Sequence, residues 1–593
     1  MAQQPALLPS QFDHRGAHST NPTDRRGDEI AQAVEIPPEG APPLLPSDVE
    51  DPEPPAPQSQ SRAKPVRRDA TPPPTHGMRL RTNPRKKVFH AYLAHGVYEL
   101  ERVREEYGYN LTSAKALKMF GKKALCSIVA EVLQIDDKGV IAPVLYQTLS
   151  RAELKSIIRS SLFLKEKVLP DGQFDKLKSR LVASGNMQDK TVYDDISSPT
   201  ISTSSAMMII AIAASERRHV ITLDIAGAYL NAPMKEKVVL MRIDPLISGI
   251  LVKFRPERYA KFLRPDGSMI VKLLKALYGC VESSRLWYDH ISTTLIKNGF
   301  KKNPLDHCVF NKMYGDKQCT AGIHVDDLLV TCADPKALQD VEKILTDAYK
   351  TLTVHRGKVH SYLGMTLDFS VQGKAKITMN GYLEEALKQY KVTGKAATPA
   401  SDHLFDLRDS DALDSEHREE FHFRVAKLLY VAKRVRPDIL TAVAFLATRV
   451  TAPTDDDWRK LDRVLRYLNA SPNLGIVLEV PNKIQVIVYA DASFAVHGDQ
   501  KSHSGVHISL GRGPIYMKST KQRLVSKSTT EAELIALSDC ATQAIWTRSF
   551  LIEQGHDVGP AVIYQDNKST IGLAEKGTHC SDRTRHINIR FFW

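Results

Sequence analysis

The pattern of hydrophobic and polar positions in the middle of the chain consists of short apolar, β-branched runs that end on acids, which predicts strands. His219–Asp224 (HVITLD) is a β-branched run that closes on a carboxylate. Cys319–Val325 and Leu328–Cys332 are two apolar, β-prone runs with only Asp326 and Asp327 between them. Because two strands joined by a two-residue turn make a hairpin, we expect adjacent carboxylates at a hairpin tip.

A second set of acids follows predicted strands nearer the C-terminus. Ile484–Ala490 alternates like a half-buried strand and is followed by Asp491. Ala561–Gln565 predicts a strand that ends at Asp566, and residues 567–569 begin a helix. Both acids are therefore expected at strand ends.

A predicted helix between these strands supplies a third acid. Residues 528–531 (STTE) form a capping-box pattern, and Glu533 falls in the first turn of the helix. Glu531 is the alternative third acid, but it fits better as the capping residue. The apolar face of the helix is predicted to hold Leu534, Leu537, Ala541 and Ile545. Acids at two strand ends and one helix start are spaced to converge on one metal site.

Composition divides the chain into unlike parts. Residues 1–75 hold 16 of the 33 prolines and few aromatic residues, so they cannot offset the entropy of ordering. We predict a disordered, proline-rich linker with a basic end over 1–87, and a helical segment of unknown role over 88–154. From about 155 onward, short β-rich runs alternate with helices, which is typical of α/β or α+β domains. The net charge of +13 favours a polyanionic partner.

Cysteine usage and hydropathy indicate the compartment. The seven cysteines are scattered, with neither zinc-ligand spacing nor a disulfide framework. A reducing, intracellular compartment fits such a set best. Apolar runs such as Ala206–Ala214 are too short to span a bilayer, so no membrane partner is expected.

Three segments, in this order, resemble the copia-type (Pseudoviridae) LTR retrotransposon reverse transcriptases. They read LDIAGAYLNAPM (223–234), KLLKALYGCVESSRLWYDHI (272–291) and HVDDLLV (324–330). The resemblance implies a right-hand polymerase with fingers, palm and connection, in which Asp224, Asp326 and Asp327 bind metal. Tyr229 matches the family's aromatic position under the incoming sugar; ordinary core packing is the alternative.

The same resemblance implies further nucleotide- and template-binding positions. They are Lys178, Arg180, Tyr229, Leu277, Tyr278, Gly279 and His324. Lys178 and Arg180 match the fingers hairpin, although alternating basic residues are usually the solvent face of a strand. Gly279 would allow a close backbone approach. His324 stands where the family usually has a tyrosine, and Val281-Glu282 stands where it commonly has Lys-Gln.

The stretch from 423 to 468 resembles the family's connection between polymerase and nuclease. Most of its basic side chains are predicted to be solvated, with a subset that follows the duplex backbone. These residues are Arg434, Arg436, Arg459, Lys460, Arg463 and Arg466.

Four later segments resemble the family's ribonuclease H: YADASFAVHGDQKSHSGV, SKSTTEAELIALSDCATQAIW, YQDNKSTIGLA and RTRHINIRFFW. The resemblance implies that Asp491, Glu533 and Asp566 bind two metal ions and that His586 assists product release or metal chemistry. The family usually has an acid where this chain has Asn588. Because the chain stops at Trp593, we expect this domain to be C-terminally truncated.

Together these features predict an α+β and α/β multidomain protein. Its predicted parts are 1–87, 88–154, a fingers-and-palm domain over 155–390, a connection or thumb-like region over 391–480, and a ribonuclease H-like domain over 481–593.

The predicted function is an RNA-directed DNA polymerase with an attached ribonuclease H, using two Mg²⁺ (or Mn²⁺) ions per site. Expected partners are an RNA template, a DNA primer, RNA–DNA hybrid and dNTPs, with integrase and capsid parts of the same polyprotein as further candidates. The expected location is a cytoplasmic virus-like particle and/or the nucleus. The alternatives are a catalytically dead, retrotransposon-derived nucleic-acid-binding protein and a structural capsid or adaptor protein.

Overall fold

The computed structural model describes residues 32–35, 111–168, 174–189, 191, 193, 196–235 and 237–577. The predictions for 1–31, 36–110, His586 and Asn588 lie outside these residues. Within them the protein is mixed α/β, as expected, and the strands form four sheets. None of the helices in the described part is long and apolar enough to cross a membrane.

Helices and strands alternate throughout the described residues. The helices are α1 Ser113–Phe120, α2 Lys122–Asp137, α3 Arg151–Ser156, α4 Thr203–Ser215, α5 Pro245–Phe254, α6 Pro256–Tyr259, α7 Ser283–Lys297, α8 Pro335–Tyr349, α9 Asn380–Gln389, α10 Ser415–Ala432, α11 Leu440–Ala447, α12 Asp455–Ala470, α13 Thr529–Glu553 and α14 Lys568–Lys576. The strands are β1 Gln32–Glu35, β2 Leu111–Thr112, β3 Ile141–Val144, β4 Ile158–Val168, β5 Phe174–Ala183, β6 His219–Ile225, β7 Leu240–Ile243, β8 Met269–Leu273, β9 Lys301–Lys302, β10 Val309–Tyr314, β11 Lys317–His324, β12 Asp327–Cys332, β13 Leu352–His355, β14 Val359–Tyr362, β15 Met365–Asp368, β16 Lys374–Thr378, β17 Ile476–Glu479, β18 Ile487–Ser493, β19 His503–Ser509, β20 Pro514–Lys521 and β21 Val562–Gln565.

The central sheet carries the predicted hairpin and has the strand order β13-β6-β12-β11-β10-β9. The prediction placed the turn at Asp326-Asp327, and this is wrong by one residue. Asp327 already belongs to β12, where it pairs with His324 on one side and Asp224 on the other. The turn is Val325-Asp326, because Val325 has φ 57°, which a strand does not allow.

The N-terminal sheet consists of β2, β4, β7, β8 and β3 in that order, with β5 paired to β4. Helix α2 lies on the β4–β5 hairpin, where the Ser127 hydroxyl donates to the Leu177 carbonyl at 2.9 Å. A separate hydrophobic core fills this part of the molecule. Residues 111–154 are not only helical, because β3 also completes the sheet by pairing with β8.

The bridging sheet has the order β14-β15-β16-β17 and joins the central sheet to helices α10, α11 and α12. The predicted solvation of the basic residues here is wrong for Arg436, whose side chain is completely buried. Its guanidinium donates to the Ser471 carbonyl at 2.8 Å and pairs with Asp438 at 2.7 Å. Arg436 therefore holds the end of α12 and is closed to nucleic acid.

The C-terminal sheet has the order β1-β21-β18-β19-β20, with β18 and β21 parallel. The predicted strand before Asp491 is displaced, because β18 runs from Ile487 to Ser493 and includes that acid. The predicted apolar face of α13 is also wrong in part. Ile545 is 48% exposed, whereas small side chains such as Ala536 and Cys540 face the core, because they allow the helix to approach the sheet closely.

Candidate active sites

Three of the predicted site residues form one row across the central sheet. His324 in β11 pairs with Asp327 in β12, which pairs with Asp224 in β6. Directly opposed residues point to the same face of a sheet, so the two carboxylates are neighbours there. Asp326 lies in the turn immediately before Asp327, and its carbonyl accepts a hydrogen bond from the Ile225 amide at 3.1 Å. All four side chains are half-buried.

A cavity of about 420 Å³ joins these acids to the β4–β5 hairpin. Asp224 and Asp326 line one side, and Lys178 and Arg180 of β5 line the other. The structure therefore brings two basic residues together with two acidic residues, and more than 40 positions of sequence separate the basic residues from the acidic ones. Basic side chains facing carboxylates across an open pocket suit a phosphate ligand that is bound together with divalent cations.

An aromatic pair stands beside the cavity. The Tyr229 ring, in a 3₁₀ turn over residues 229–231, lies 5.2 Å from the Tyr278 ring between centroids. The Arg180 guanidinium lies over the other aromatic ring, 4.6 Å from the Tyr278 centroid. Burial, and then the nearby Asp326 carboxylate, raise the pKa of Tyr229, so its hydroxyl stays protonated at neutral pH. Tyr229 thus packs against Tyr278, as the core-packing alternative expects, and it also lies near the Asp326 carboxylate.

Gly279 allows a close backbone approach within the protein, while its expected role at the template and nucleotide stays a prediction. Gly279 has φ +86°, and a Cβ there would lie 2.2 Å from the Ala183 carbonyl oxygen. The Ala183 amide donates to the Tyr278 carbonyl at 2.7 Å, which fixes the end of β5 against this turn. Leu277 is fully buried behind it. Leu277 and Gly279 therefore position Tyr278 and the hairpin and do not face the cavity.

Sequence reasoning missed three residues of α2 and its C-terminal end. Glu131 and Gln134 line the cavity, and Lys138 donates to the Ala226 carbonyl at 3.2 Å and to Asn231 at 2.8 Å. Glu131 accepts from the Leu181 amide at 3.2 Å, and burial raises the pKa of its carboxyl. The spacing of Glu131 from Ile128 and Ile135, two buried residues of the same helix, was the available signal.

The turn of the central hairpin is strained and clamped. Val325, a β-branched residue at positive φ, occupies a conformation that costs on the order of 1–3 kcal/mol. Trp287 of α7, almost fully buried, donates from its indole Nε1 to the Val325 carbonyl at 2.7 Å. Both turn carbonyls therefore accept a hydrogen bond, because the Ile225 amide donates to the Asp326 carbonyl.

The C-terminal acids converge more tightly. One carboxylate oxygen from each of Asp491, Glu533 and Asp566 lies within 4.8 Å of the other two. No other set of three or more acid, histidine or cysteine side chains converges in this way among the described residues. Burial, and then the like charge of Asp491, raise the pKa of Glu533 to about 7. Gln565 Nε2 donates to Glu533 at 3.3 Å. The group is thus short of positive charge, which a divalent cation would supply.

Glu531 differs from Glu533 in its contacts. Its carboxylate accepts from the Lys527 amide at 2.7 Å, and its own amide donates to the Ser528 hydroxyl at 3.1 Å. Glu531 is fully buried in this capping arrangement. It does not join the three converging acids.

The family profile described as "Reverse transcriptase (RNA-dependent DNA polymerase)" matches residues 152–401. The Retrovirus-related Pol polyprotein from transposon RE2 of Arabidopsis thaliana is 29% identical over 441 residues. The Retrovirus-related Pol polyprotein from transposon TNT 1-94 of Nicotiana tabacum is 26% identical over 434 residues. The profile match over 152–401 and the similarity to these Pol polyproteins support a copia-type retrotransposon reverse transcriptase.

The chain spans about a third of the length of the curated relatives that it matches. The similarity to the RE2 polyprotein covers 74% of this chain and 29% of that protein, and for TNT 1-94 the shares are 71% and 31%. A solved foamy viral protease–reverse transcriptase in complex with double-stranded DNA has a TM-score of 0.44 and 14% identity, over 79% of this chain and 67% of that one. The cavity acids of the central sheet lie inside the profile match, and Asp491, Glu533 and Asp566 lie beyond it.

Proposed function

We propose that this chain is the RNA-directed DNA polymerase of a copia-type retrotransposon, with an attached ribonuclease H that degrades RNA in RNA–DNA hybrids. The observation that carries the polymerase assignment is the cavity in which Lys178 and Arg180 face Asp224 and Asp326. In this proposal residues 155–390 are fingers and palm, 391–480 the connection and 481–593 the nuclease. The enzyme would act in a cytoplasmic virus-like particle and/or the nucleus.

In the polymerase site, the basic wall binds the triphosphate of a dNTP. Arg180 can bind two phosphate oxygens at once, while Lys178 acts as a point charge. Tyr229 lies beside the acids, where its ring would support the sugar and reject a 2′-hydroxyl. His324, next to Asp327, would lie near the primer end. The RNA template and DNA primer approach from the open side of the cavity.

In the nuclease site, the three converging acids bind the scissile phosphate of the hybrid through the divalent cations that they would hold. Asp491 and Asp566 are exposed, so they can meet a phosphate, while Glu533 anchors the group from inside. Gln565 orients Glu533 and also donates to the Ala490 carbonyl at 3.4 Å. The role of His586 in product release stays a proposal from resemblance.

The residues present fit divalent cations at both sites. Asp224 and Asp327 are opposed like charges on neighbouring strands, and Glu533 is a buried carboxyl beside two further acids. Such pairs repel unless a cation lies between them. At each site a pair of Mg²⁺ (or Mn²⁺) ions, when bound, would supply an activated attacking oxygen and neutralise charge on the phosphate.

Primer extension on an RNA template with Mg²⁺ tests the polymerase assignment. We expect dNTP incorporation by the native chain and a loss of at least about a hundredfold in Asp224→Asn or Asp326→Asn. Asp334→Asn is the matched control, because the Asp334 side chain caps α8 and asparagine can also cap a helix. No extension by the native chain, with hybrid binding intact, would favour the catalytically dead descendant instead.

A further inference from the structure

Two cysteines face each other across the hairpin that carries Asp326 and Asp327. Cys319 in β11 and Cys332 in β12 are register partners, both fully buried, and their thiols are not joined. They stand at the open end of the hairpin, six pairs away from its turn. Neither thiol takes part in the proposed polymerase or nuclease chemistry.

Hydrogen bonding along the hairpin decides how close the pair lies. The Ile323 amide donates to the Cys308 carbonyl at 2.9 Å, and the Ile323 carbonyl accepts from the Ile201 amide at 3.1 Å. The N–H and C=O of Ile323 therefore both point away from its register partner Leu328. Ile323 and Leu328 form a non-hydrogen-bonded pair. The two kinds of pair alternate along an antiparallel ladder, so the cysteine pair, four residues further, is also non-hydrogen-bonded.

This class of pair has the spacing that a disulfide needs. Its Cα atoms are about 4.5 Å apart, against the roughly 4.4–6.8 Å found across disulfides. Opposed side chains point to the same face of the sheet, so the two sulfurs face each other without any movement of the backbone. The pair therefore lies near the short end of the range, where a disulfide is strained and easily reduced.

The surroundings make Cys332 the nucleophile of the pair. The Asp334 amide lies 3.4 Å from the Cys332 sulfur, and Arg218, bound to Thr320 at 3.1 Å, adds positive charge nearby. Hydrogen bonding with Cys319 lowers the pKa of Cys332, and the same contact raises the pKa of Cys319. Donors and a nearby cation both favour the thiolate, which is the reactive form.

We propose that Cys319 and Cys332 are a redox modification site, closed to a disulfide by a small peroxide and reopened by thiols. The Cys332 thiolate attacks one oxygen of hydrogen peroxide and the O–O bond breaks; the released hydroxide takes up the thiol's proton as water, leaving a sulfenic acid. The Cys319 sulfur then displaces hydroxide from that sulfur, and its own proton leaves in a second water. Two thiols are oxidised and one peroxide is reduced to two waters.

Access to the pair is through the open end of the hairpin. Cys332 is the last residue of β12, and only Ala333 and Asp334 separate it from α8. Strand ends open locally at low cost, and hydrogen peroxide is little larger than water. Cys308 and Cys280, also buried, have no cysteine as a register partner.

Disulfide mapping of the full chain tests this proposal. The native chain is treated with graded hydrogen peroxide, its remaining thiols are alkylated, and a non-reduced digest is examined for linked peptides. The exposed Cys126 reports that oxidant is in excess. We expect a peptide joining Cys319 to Cys332 as the main linked product, and its loss after treatment with a dithiol.

Variants identify the partner independently of that map. Cys319→Ser should remove the linked peptide and leave Cys332 as a sulfenic or sulfinic acid, while Cys308→Ser should leave the link unchanged. The proposal is overturned if both cysteines stay reduced when Cys126 is fully oxidised, or if either pairs mainly with another cysteine. Because the native map alone names the partner, a variant that fails to fold does not remove the test.

Discussion

The indole Nε1 of Trp287 donates a 2.7 Å hydrogen bond to the carbonyl of Val325, the residue at φ 57° that immediately precedes Asp326. Trp287 also packs edge-on against Tyr349, with ring centroids 5.1 Å apart. A buried side chain on α7 thus holds a strained turn on a different element. The direction of the Asp326 carboxylate depends on that turn, so Trp287 acts on the proposed polymerase site as a positioning residue.

Trp287→Phe should therefore impair extension without weakening nucleotide binding. It removes the donor and leaves the part-buried Val325 carbonyl unpaired, which costs on the order of 1 kcal/mol of stability. We expect kcat for dNTP incorporation to fall roughly tenfold with KM for dNTP nearly unchanged, equivalent to about 1.4 kcal/mol in the transition state. Trp546→Phe, in α13, is the control and should leave extension intact. Equal effects of both substitutions would contradict the positioning role.

Val325→Gly should stabilise the chain. Glycine adopts positive φ freely, so relief of strain outweighs the added entropy of the unfolded chain and leaves a gain of about 1 kcal/mol. Urea unfolding measures the difference. Val359→Gly removes the same side chain from an extended position of β14 and should destabilise instead, by roughly 0.5–1 kcal/mol. A loss of stability in Val325→Gly would mean that the strain in the turn is smaller than the packing that the Val325 side chain contributes to the core.

Two buried histidines predict sensitivity to acid. His497 Nε2 and His503 Nδ1 lie 3.0 Å apart under the Phe405 ring, and burial lowers the pKa of each to about 4. As the pH falls, the two histidines take up protons in the unfolded chain before they do so in the folded chain. The free energy of unfolding is therefore unaffected by these rings above pH 6.5 and decreases as the pH falls towards 4, by up to about 3 kcal/mol for each ring.

Urea unfolding at pH 7 and pH 4.5 checks that sign. The double substitution His497→Asn with His503→Asn should flatten the dependence on pH, while the exposed His403→Asn should leave it as it is. An equal loss of stability in acid for the native chain and the double variant would show that other groups are responsible.

Mg²⁺ should stabilise the C-terminal sheet in a manner that depends on Glu533. Because the folded pKa of Glu533 is raised to about 7, the metal-free protein loses stability as the pH rises from 4.5 through 7. Bound Mg²⁺ reverses this loss, so the rise in Tm on adding Mg²⁺ should be larger at pH 8 than at pH 6. Glu533→Gln should abolish the Mg²⁺ effect, and Glu553→Gln, on the exposed end of the same helix, should not. A Mg²⁺ effect that survives in Glu533→Gln would place the cation elsewhere.

Much of the local structure could be predicted from the sequence, because β-branched runs such as HVITLD and the Asn567 helix start depend on neighbouring residues alone. The exact turn could not, since a valine at positive φ is disfavoured locally and is held there by Trp287, 38 positions away. Glu131 was missed for a similar reason. An acid on an amphipathic helix looks solvated until the β4–β5 hairpin covers it.

The central claim is that the chain holds two separate phosphoryl-transfer sites, and one reaction tests it. A labelled DNA primer on a labelled RNA template is incubated with dNTPs and Mg²⁺, so that extension and RNA cleavage are measured together. We predict that the native chain does both, that Asp326→Asn loses extension but still cuts RNA, and that Asp566→Asn extends but no longer cuts. Loss of both activities in either variant, or of neither, would contradict the account.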